Sequence, residues 1–135
     1  MGPMLILVRG LPGSGKTTLA EVLFNHYLEK GADVVALATD DYMMEDGKYV
    51  FRPENLAEAH MYCQEDAATF LDRGYVVIVH NTFTRQWEAD PYIQKAKEVG
   101  ATIQIIHTQG PWDNQHGCPP QTIEKMKARW ENVSY

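Results

Sequence analysis

The chain has 135 residues, of which 44% are hydrophobic and 22% charged, with a formal net charge of −6. We therefore predict one soluble domain spanning residues 1–135. No apolar run approaches the ~18 residues of a membrane-spanning helix, so we expect a cytoplasmic protein without membrane contact. The acidic balance argues against broad electrostatic capture of nucleic acid, but a local groove could still bind a nucleic-acid end. Cys63 and Cys118 fit neither a metal pattern nor a disulfide framework and are expected to be reduced thiols.

Short apolar runs alternate along the chain with segments of helical spacing. Met4 to Val8 is continuously apolar, which predicts a buried strand of a parallel sheet. A helix is predicted from about Lys16 to Lys30, ended by Gly31 in the left-handed conformation. Val34 to Ala38 predicts the second strand. The first third of the chain thus has the order strand, helix, strand.

The middle of the chain begins with an excursion from this alternation. Tyr42 to Phe51 predicts a small hairpin because Asp46-Gly47 is a turn signal. Pro53 can open a helix, and the apolar spacing that follows predicts a long one, which Gly74 ends.

The remaining elements return to the alternating pattern. Tyr75 to Val79 predicts the third strand, and a loop containing Asn81 to Arg85 leads to a helix around Pro91 to Val99. Thr102 to Ile106 predicts the fourth strand, and Gln121 to Glu131 the final helix. This order is typical of an α/β fold, a three-layer P-loop arrangement with a short parallel sheet of about four strands. Ligands of such sheets bind beyond the carboxyl ends of the strands.

A phosphate-binding motif follows the first predicted strand and opens the first predicted helix. Residues 10–17, GLPGSGKT, satisfy G-x-x-x-x-G-K-[ST] in full. Glycines let backbone N–H groups surround a phosphate, and the helix N-terminus adds partial positive charge. Lys16 is expected to reach the β- and γ-phosphates, and the Thr17 hydroxyl to ligate Mg²⁺. We therefore predict ATP and Mg²⁺ as cofactors, with the nucleotide bound by these residues: Gly10, Pro12, Gly13, Ser14, Gly15, Lys16, Thr17 and Thr18.

Two carboxylates end the second strand on the same rim. Asp40 or Asp41 could orient an attacking hydroxyl and accept its proton, or hold Mg²⁺ with Thr17, and the alternative is that one or both cap a turn. His80, at the end of the third strand, could hydrogen-bond a phosphate or an acceptor as a neutral imidazole. Among the aromatic residues, Trp87 is expected to be buried, whereas Trp112 is a candidate for contact with adenine.

The ordered motifs resemble one family. The run from Arg9 to Thr17, Thr39-Asp40-Asp41-Tyr42, Asn81-Thr82 and a terminal segment from His116 to Glu131 together look like the phage polynucleotide-kinase-like group of P-loop kinases, related to AAA-type and zeta-toxin-like families. The resemblance implies that Asp40 is the general base. It also implies a hydroxyl acceptor, a polynucleotide 5′-hydroxyl or a related nucleotide-like group, near Tyr42, His80, Asn81 and Thr82.

The sequence departs from that family at three places. His80 stands where related sequences often have an acidic residue, and Met43 stands where polynucleotide kinase has a phosphate-gripping arginine. The lid, Thr108 to Pro120, is shortened and contains no Arg or Lys. Arg85 and Arg129 are therefore predicted as catalytic substitutes for the lid arginine, with Arg52 as a further candidate, unless a partner protein supplies the charge.

Three function classes stay open at this point. The favoured one is an ATP-dependent kinase, whose acceptor is either the nucleic-acid end or a small-molecule or modified-base hydroxyl. The second is an ATP-binding switch or interaction module with little phosphotransfer, consistent with the shortened lid. The third is an NTPase that hydrolyses ATP without an acceptor.

Overall fold

The computed structural model describes residues 2–109 and 118–135. Four α-helices and six strands are formed within these ranges. In chain order they are β1 (Met4–Arg9), α1 (Lys16–Glu29), β2 (Val34–Leu37), β3 (Met44–Glu45), β4 (Lys48–Tyr49), α2 (Leu56–Asp72), β5 (Val76–Asn81), α3 (Gln86–Glu98), β6 (Thr102–His107) and α4 (Pro120–Ala128).

The central sheet has the order β2-β5-β1-β6, and all its strands are parallel. The register aligns the carboxyl ends of three strands, because Arg9 pairs with Asn81 on one side and with His107 on the other. This edge is the place at which ligands of parallel α/β sheets bind. The α/β fold with a parallel four-stranded sheet is confirmed.

Side chains of β1 alternate between two cores. Leu5 and Leu7 face α2 and α3, whereas Ile6 and Val8 face α1, and all four are fully buried. This alternation explains why the strand reads as a continuous apolar run, since both of its faces are covered. The result is a three-layer arrangement with α1 on one face of the sheet and α2 and α3 on the other.

The predicted hairpin and turns are present. Asp46 (φ 51°) and Gly47 (φ 78°) both have positive φ, as a two-residue hairpin turn between β3 and β4 requires. Gly31 and Gly74 have positive φ after α1 and α2, as predicted. No helix in the described part of the chain is both long enough and apolar enough to cross a membrane.

The third helix begins earlier than predicted, at Gln86 rather than near Pro91. Glu88 fixes its first turn, since its Oε2 accepts hydrogen bonds from the Arg85 backbone N–H (2.8 Å) and the Thr84 hydroxyl (2.6 Å). Pro91 forfeits only the bond to the carbonyl of Trp87, four residues back. Trp87 itself is 69% exposed, so the expectation that it is buried was wrong.

The last helix ends at Ala128, three residues before the predicted end at Glu131. The chain leaves the helix because Glu131 is bound elsewhere. Its backbone N–H donates to the Thr84 carbonyl (2.7 Å), and its own carbonyl accepts from Arg9 (2.7 Å). These tertiary hydrogen bonds override local helix propensity.

Candidate functional site

The phosphate loop joins β1 to α1 at the carboxyl edge of the sheet. Gly13 and Gly15 have φ of 79° and 99°, values that side-chain-bearing residues rarely adopt. Gly10 is required for a different reason. A Cβ at this position would lie against the hydroxyls of Thr108 and Ser14 and 2.9 Å from the Thr108 carbonyl. The glycines of the motif therefore keep the backbone in a curve that no larger residue would allow.

Thr108, the residue after β6, ties the loop to the far side of the sheet. Its hydroxyl lies 2.7 Å from the buried Ser14 hydroxyl and also contacts the Arg9 carbonyl at 3.3 Å. The Thr108 backbone N–H donates to the same carbonyl at 2.8 Å. The sequence identified Thr108 only as the start of the predicted lid, because no motif marks its contact with the phosphate loop.

Lys16 folds over the phosphate loop, where its Nζ donates to the Leu11 carbonyl at 3.1 Å. Burial lowers the pKa of Lys16 to about 8, and the nearby Asp40 carboxylate and Cys118 thiol oppose this shift. The ammonium group is thus held inside the curve of the loop, where it can meet a phosphate. The acidic residue predicted as general base is close enough to act on its charge.

A groove of about 480 Å³ begins at Thr17 and runs between α1 and β2. Asp41 and His80 line it together with Thr17, so the structure brings these three predicted site residues onto one surface. Burial lowers the pKa of His80, and the Asp41 carboxylate opposes this shift. At neutral pH the imidazole is therefore predominantly uncharged. A neutral ring can donate or accept a hydrogen bond there without repelling Mg²⁺.

Asp40 and Asp41 lie in a short 3-10 helix, Thr39–Met43, that follows β2. Asp41 caps this helix, since its Oδ2 accepts a hydrogen bond from the Ala38 backbone N–H at 3.1 Å. The capping role that the sequence left open is therefore present at Asp41. Its carboxylate also reaches the groove of Thr17, so the two roles coexist on one side chain.

The 3-10 helix is held in place by neighbours on both sides. The Asn81 side-chain oxygen accepts from the Thr39 backbone N–H at 2.8 Å, and the Thr39 hydroxyl lies 3.1 Å from His60 Nδ1. Tyr42 donates its hydroxyl to Asp66 Oδ2 at 2.5 Å. Asn81 and Tyr42, predicted as acceptor-side residues, thus fix the position of Asp40. Thr82 lies half-buried directly after β5.

Two residues that sequence reasoning did not place in the site lie beside Asp40. Tyr49, on β4, lies close enough to Asp40 for that carboxylate, together with burial, to raise the pKa of its phenol. Cys118 is close enough to Asp40 and Lys16 for both charges to affect its pKa, which burial raises. Cys118 lies in the terminal segment that carries the family resemblance and Tyr49 in the predicted hairpin, but nothing in the sequence places either residue beside Asp40.

Arg9 is a third residue that the sequence reasoning did not place in the site. It is 4% exposed, and its guanidinium donates to the Phe83 carbonyl (3.0 Å from Nε) and to the Glu131 carbonyl (2.7 Å from Nη2). It also stacks on the Trp130 ring at 4.1 Å, and that ring stacks in turn on His107. The sequence signal that could have identified Arg9 is its position as a charged residue at the end of an apolar strand.

The arginines predicted to replace the lid arginine all have partners. Arg129 Nε donates to the Thr84 hydroxyl at 3.0 Å, and Arg85 lies 3.7 Å from the Glu131 carboxylate. Arg52 forms an exposed ion pair with Glu45 at 2.7 Å. Arg85 and Arg129 are therefore both held beside the start of α3, at the carboxyl edge of the sheet.

The described residues fit a nucleotide with its metal. At Gly10 the phosphate loop has no space for a side chain, so main-chain groups would contact the phosphates. Lys16 supplies the positive charge. Thr17 lines a groove that the Asp41 carboxylate also lines. Within residues 2–109 and 118–135, no group of three or more His, Cys, Asp or Glu side chains forms a metal site of its own. The predicted adenine contact of Trp112 lies outside the described residues.

Comparison with known proteins agrees with this geometry. The chain is 39% identical to human NEDD4-binding protein 2 over 97% of its own length but spans only 8% of that protein. It resembles Mycobacterium tuberculosis APS kinase CysC in complex with AMPPNP and APS, with a TM-score of 0.63 and 20% identity over 92% of this chain and 68% of that one. It also resembles a chain of the Pnkp1/Rnl/Hen1 RNA repair complex, with a TM-score of 0.61 and 19% identity over 99% of this chain and 40% of that one.

These two likenesses show a P-loop kinase-like fold. The model of one protein family, described as an AAA domain, matches residues 5–116, which include the phosphate loop, the Asp40 helix and, apart from Met4, all four strands of the central sheet. With its P-loop kinase-like fold, the chain belongs to the AAA domain family.

Proposed function

We propose that this chain transfers the γ-phosphate of ATP to a hydroxyl group, with a polynucleotide 5′-hydroxyl or a related nucleotide-like group as the favoured acceptor. The observation that carries the proposal is the closeness of Lys16 and Asp40. Lys16 lies in the phosphate loop that follows β1, and Asp40 lies in the 3-10 helix that follows β2 and is held by Asn81 of β5. A phosphate-binding cation and a candidate base therefore share one edge of the sheet. Phosphoryl transfer needs these two groups on opposite sides of the moving phosphoryl.

Each residue has a defined part in the proposed reaction. Main-chain N–H groups of the loop and the Lys16 ammonium bind the β- and γ-phosphates, while Thr17 and the carboxylates of Asp40 and Asp41 would hold Mg²⁺ directly or through water. Bound Mg²⁺ neutralises charge that develops on the phosphate oxygens. Asp40 accepts the proton of the acceptor hydroxyl. The acceptor oxygen bonds to the γ-phosphorus as the bond between that phosphorus and the β,γ-bridging oxygen breaks, which releases ADP.

Support for a nucleic-acid acceptor comes from two sides. The ordered motifs resemble polynucleotide-kinase-like proteins, and the fold resembles a chain of an RNA repair complex. The net charge of −6 provides little attraction for a long phosphate backbone, so we propose an acceptor recognised at its end. A small-molecule or modified-base hydroxyl is the alternative acceptor that this charge favours.

The negative charge that moves with the phosphoryl group requires a cation besides Lys16. We propose that Arg85 or Arg129 supplies it, since both are held beside the sheet edge by hydrogen bonds or ion pairs that a phosphate could replace. An arginine in this role is typically worth about 10³ to 10⁵ in rate. Alanine variants of the two arginines should therefore differ. Removal of the arginine that acts should lower kcat by about that factor, while ATP affinity stays near that of the wild type.

Transfer of radiolabelled γ-phosphate tests the proposal. Mg²⁺-ATP is offered with single-stranded and duplex RNA and DNA bearing 5′-hydroxyls, hydroxymethylated DNA, nucleosides and small alcohols. We expect the wild type to label one acceptor class, and we expect Lys16→Ala and Asp40→Asn to abolish that labelling. Asp33→Asn is the matched control, because Asp33 lies at the opposite end of β2, and it should label like the wild type. Absence of labelling on every acceptor would refute phosphotransfer.

An ATP-binding module with little phosphotransfer is the second candidate. The observation that favours it is that all five arginines of the chain already have partners within the fold. This candidate predicts tight ATP binding without labelled product, and equal ATP affinity in the wild type and Asp40→Asn. A bare NTPase instead predicts released phosphate whose rate does not change when acceptors are added.

A further inference from the structure

Exposed apolar side chains are concentrated beside the 3-10 helix that carries Asp40. Of the eight large apolar side chains exposed in the described part of the chain, four lie on the hairpin, just after it, or on α2: Met44, Phe51, Met61 and Tyr62. The hairpin contacts the 3-10 helix through the Val50 backbone N–H, which donates to the Met43 carbonyl at 3.0 Å, and α2 contacts it through side-chain hydrogen bonds. Such a concentration of exposed apolar groups is typical of a binding surface, whereas single exposed residues are not.

Tyr62 of α2 stacks on Tyr42 of the 3-10 helix. Their ring centroids are 6.4 Å apart and their ring planes differ by 30°, an offset arrangement of near-parallel rings. Tyr42 is half-buried, whereas Tyr62 is 43% exposed, so Tyr62 is the ring of this tyrosine pair that a ligand could cover. Tyr42 follows Asp40 by two positions in the same helix, which places the pair within one helical turn of the proposed base.

The charged groups that hold the tyrosine pair are both acidic. The Tyr62 hydroxyl donates to Glu58 at 2.8 Å, and the Tyr42 hydroxyl donates to Asp66 at 2.5 Å. Among the described residues, no Lys or Arg forms an ion pair with either carboxylate. Two such carboxylates repel a phosphate group but not an uncharged ring. The tyrosine pair therefore suits an uncharged planar group rather than a sugar-phosphate backbone.

We propose that Tyr62 stacks on the unpaired base at the 5′ end of a single-stranded polynucleotide acceptor, while the 5′-hydroxyl of the same nucleoside reaches Asp40. The inference rests on the proposed function, which names the reacting hydroxyl but not what recognises the group that carries it. A 5′-terminal nucleoside has no phosphate on its 5′ side, so it is the part of a polynucleotide that the two carboxylates repel least. Stacking on an aromatic ring accepts every base, so we expect a preference for unpaired ends without a preference for their sequence.

Acceptors that lack one base test this contact. Transfer of labelled γ-phosphate is compared between single-stranded 5′-hydroxyl oligonucleotides and the same oligonucleotides with an abasic 5′-terminal residue. For the wild type we expect kcat/KM to be about 10- to 100-fold lower on the abasic acceptor, the range typical of one base stacked on an aromatic side chain. Tyr62→Ala should show that loss on the complete acceptor and no further loss on the abasic one.

Two further variants are the controls for this comparison. Tyr62→Phe keeps the ring and removes only the hydroxyl that donates to Glu58, so it should act like the wild type. Tyr135→Ala removes an exposed tyrosine outside the pair and should also keep the wild-type kcat/KM. Equal transfer to complete and abasic acceptors by the wild type would overturn the proposal and leave the kinase reaction standing. Labelling that depends on Tyr62 for free nucleosides alone would overturn the assignment to a polynucleotide end.

A binding measurement tests the contact without relying on phosphate transfer. The oligonucleotide carries 2-aminopurine as its 5′-terminal base, whose fluorescence decreases on stacking, and saturating ADP keeps this base out of the nucleotide site. We expect quenching by the wild type and Tyr62→Phe but not by Tyr62→Ala, and equal quenching by all three would overturn the proposal. Wild-type protein that labels no acceptor would refute the proposed function. Quenching that depends on Tyr62 would then still support base binding, whereas its absence would refute both.

Discussion

The Ser14 hydroxyl lies 2.7 Å from the Thr108 hydroxyl and joins the phosphate loop to the end of β6. The two residues are 94 positions apart in the chain, and Ser14 is buried at the point of contact. Gly10 lies directly against this pair, because a Cβ there would clash with both hydroxyls. The shape of the loop therefore depends on a residue from another part of the sequence.

Substitution Gly10→Ala should displace the loop from Thr108. The new methyl group has no space, so we expect a loss of about 1–3 kcal/mol of unfolding free energy and at least a tenfold weaker affinity for ATP. Gly2→Ala is the control, since a Cβ at Gly2 has nothing within 4 Å. Urea unfolding and calorimetry measure both effects. Equal affinity in the two variants would contradict the packing described for Gly10.

The affinity for ATP should decrease as the pH rises through about 8. Lys16 carries its proton below its pKa of about 8 and loses it above, and anionic phosphates bind the protonated form. The dissociation constant should therefore rise by up to about tenfold per pH unit above that pKa, until the pKa of the complex is reached. Lys16→Arg keeps its charge throughout and should show no such rise. A flat wild-type profile between about pH 7 and about pH 9.5 would disprove the role of Lys16.

Removal of the Arg9 guanidinium should destabilise the fold strongly. Arg9→Met leaves the carbonyls of Phe83 and Glu131 without their donor and loses the stacking on Trp130. At about 1–3 kcal/mol for each unsatisfied buried group, we expect a loss of about 2–5 kcal/mol. Arg52→Met, which breaks only the exposed pair with Glu45, should cost less than about 1 kcal/mol. Thermal or urea unfolding compares the two, and similar losses would argue against the buried role of Arg9.

Alkylation of Cys118 should block nucleotide binding. Its thiol is partly exposed beside Lys16 and Asp40, whereas Cys63 is fully buried. N-ethylmaleimide should therefore label Cys118 first, with ATP slowing the reaction. Because burial raises the pKa of this thiol, labelling should accelerate as the pH increases. Cys118→Ser should resist inhibition, and labelled protein that binds ATP normally would place Cys118 away from the site.

Much of the fold could be predicted from the sequence because its signals are local. The apolar runs of β1 and β5 have both faces covered, and glycines such as Gly31 and Gly74 end helices in a conformation that few other residues adopt. The phosphate loop was recognisable because its chemistry fixes residue types at fixed spacing. The start of α3 was predicted too late because proline, here Pro91, is a common first residue of a helix, whereas the helix is in fact capped by Glu88.

The acceptor side of the site was harder to predict because distant residues build it. Tyr49, whose pKa the Asp40 carboxylate raises, is nine positions further along the chain, on a hairpin whose docking no pattern reveals. Arg9 binds residues of the loop after β5 and of the chain after α4. Contacts of this kind depend on tertiary packing, and periodicity does not report them. The role of Asp40 as base stays a prediction until labelled acceptor is measured.

The bond between Arg9 and Glu131 also has a consequence for folding order. These residues are 122 positions apart, so Arg9, which also donates to the Phe83 carbonyl, gains its second carbonyl partner only when the segment after α4 is present. Contacts of such long range form late and slow folding, because the intervening chain must first be ordered. On the ribosome, the sheet edge that carries the phosphate loop would be completed only after the segment that follows α4 has emerged. Competence to bind nucleotide would therefore mark the end of folding rather than an early step in it.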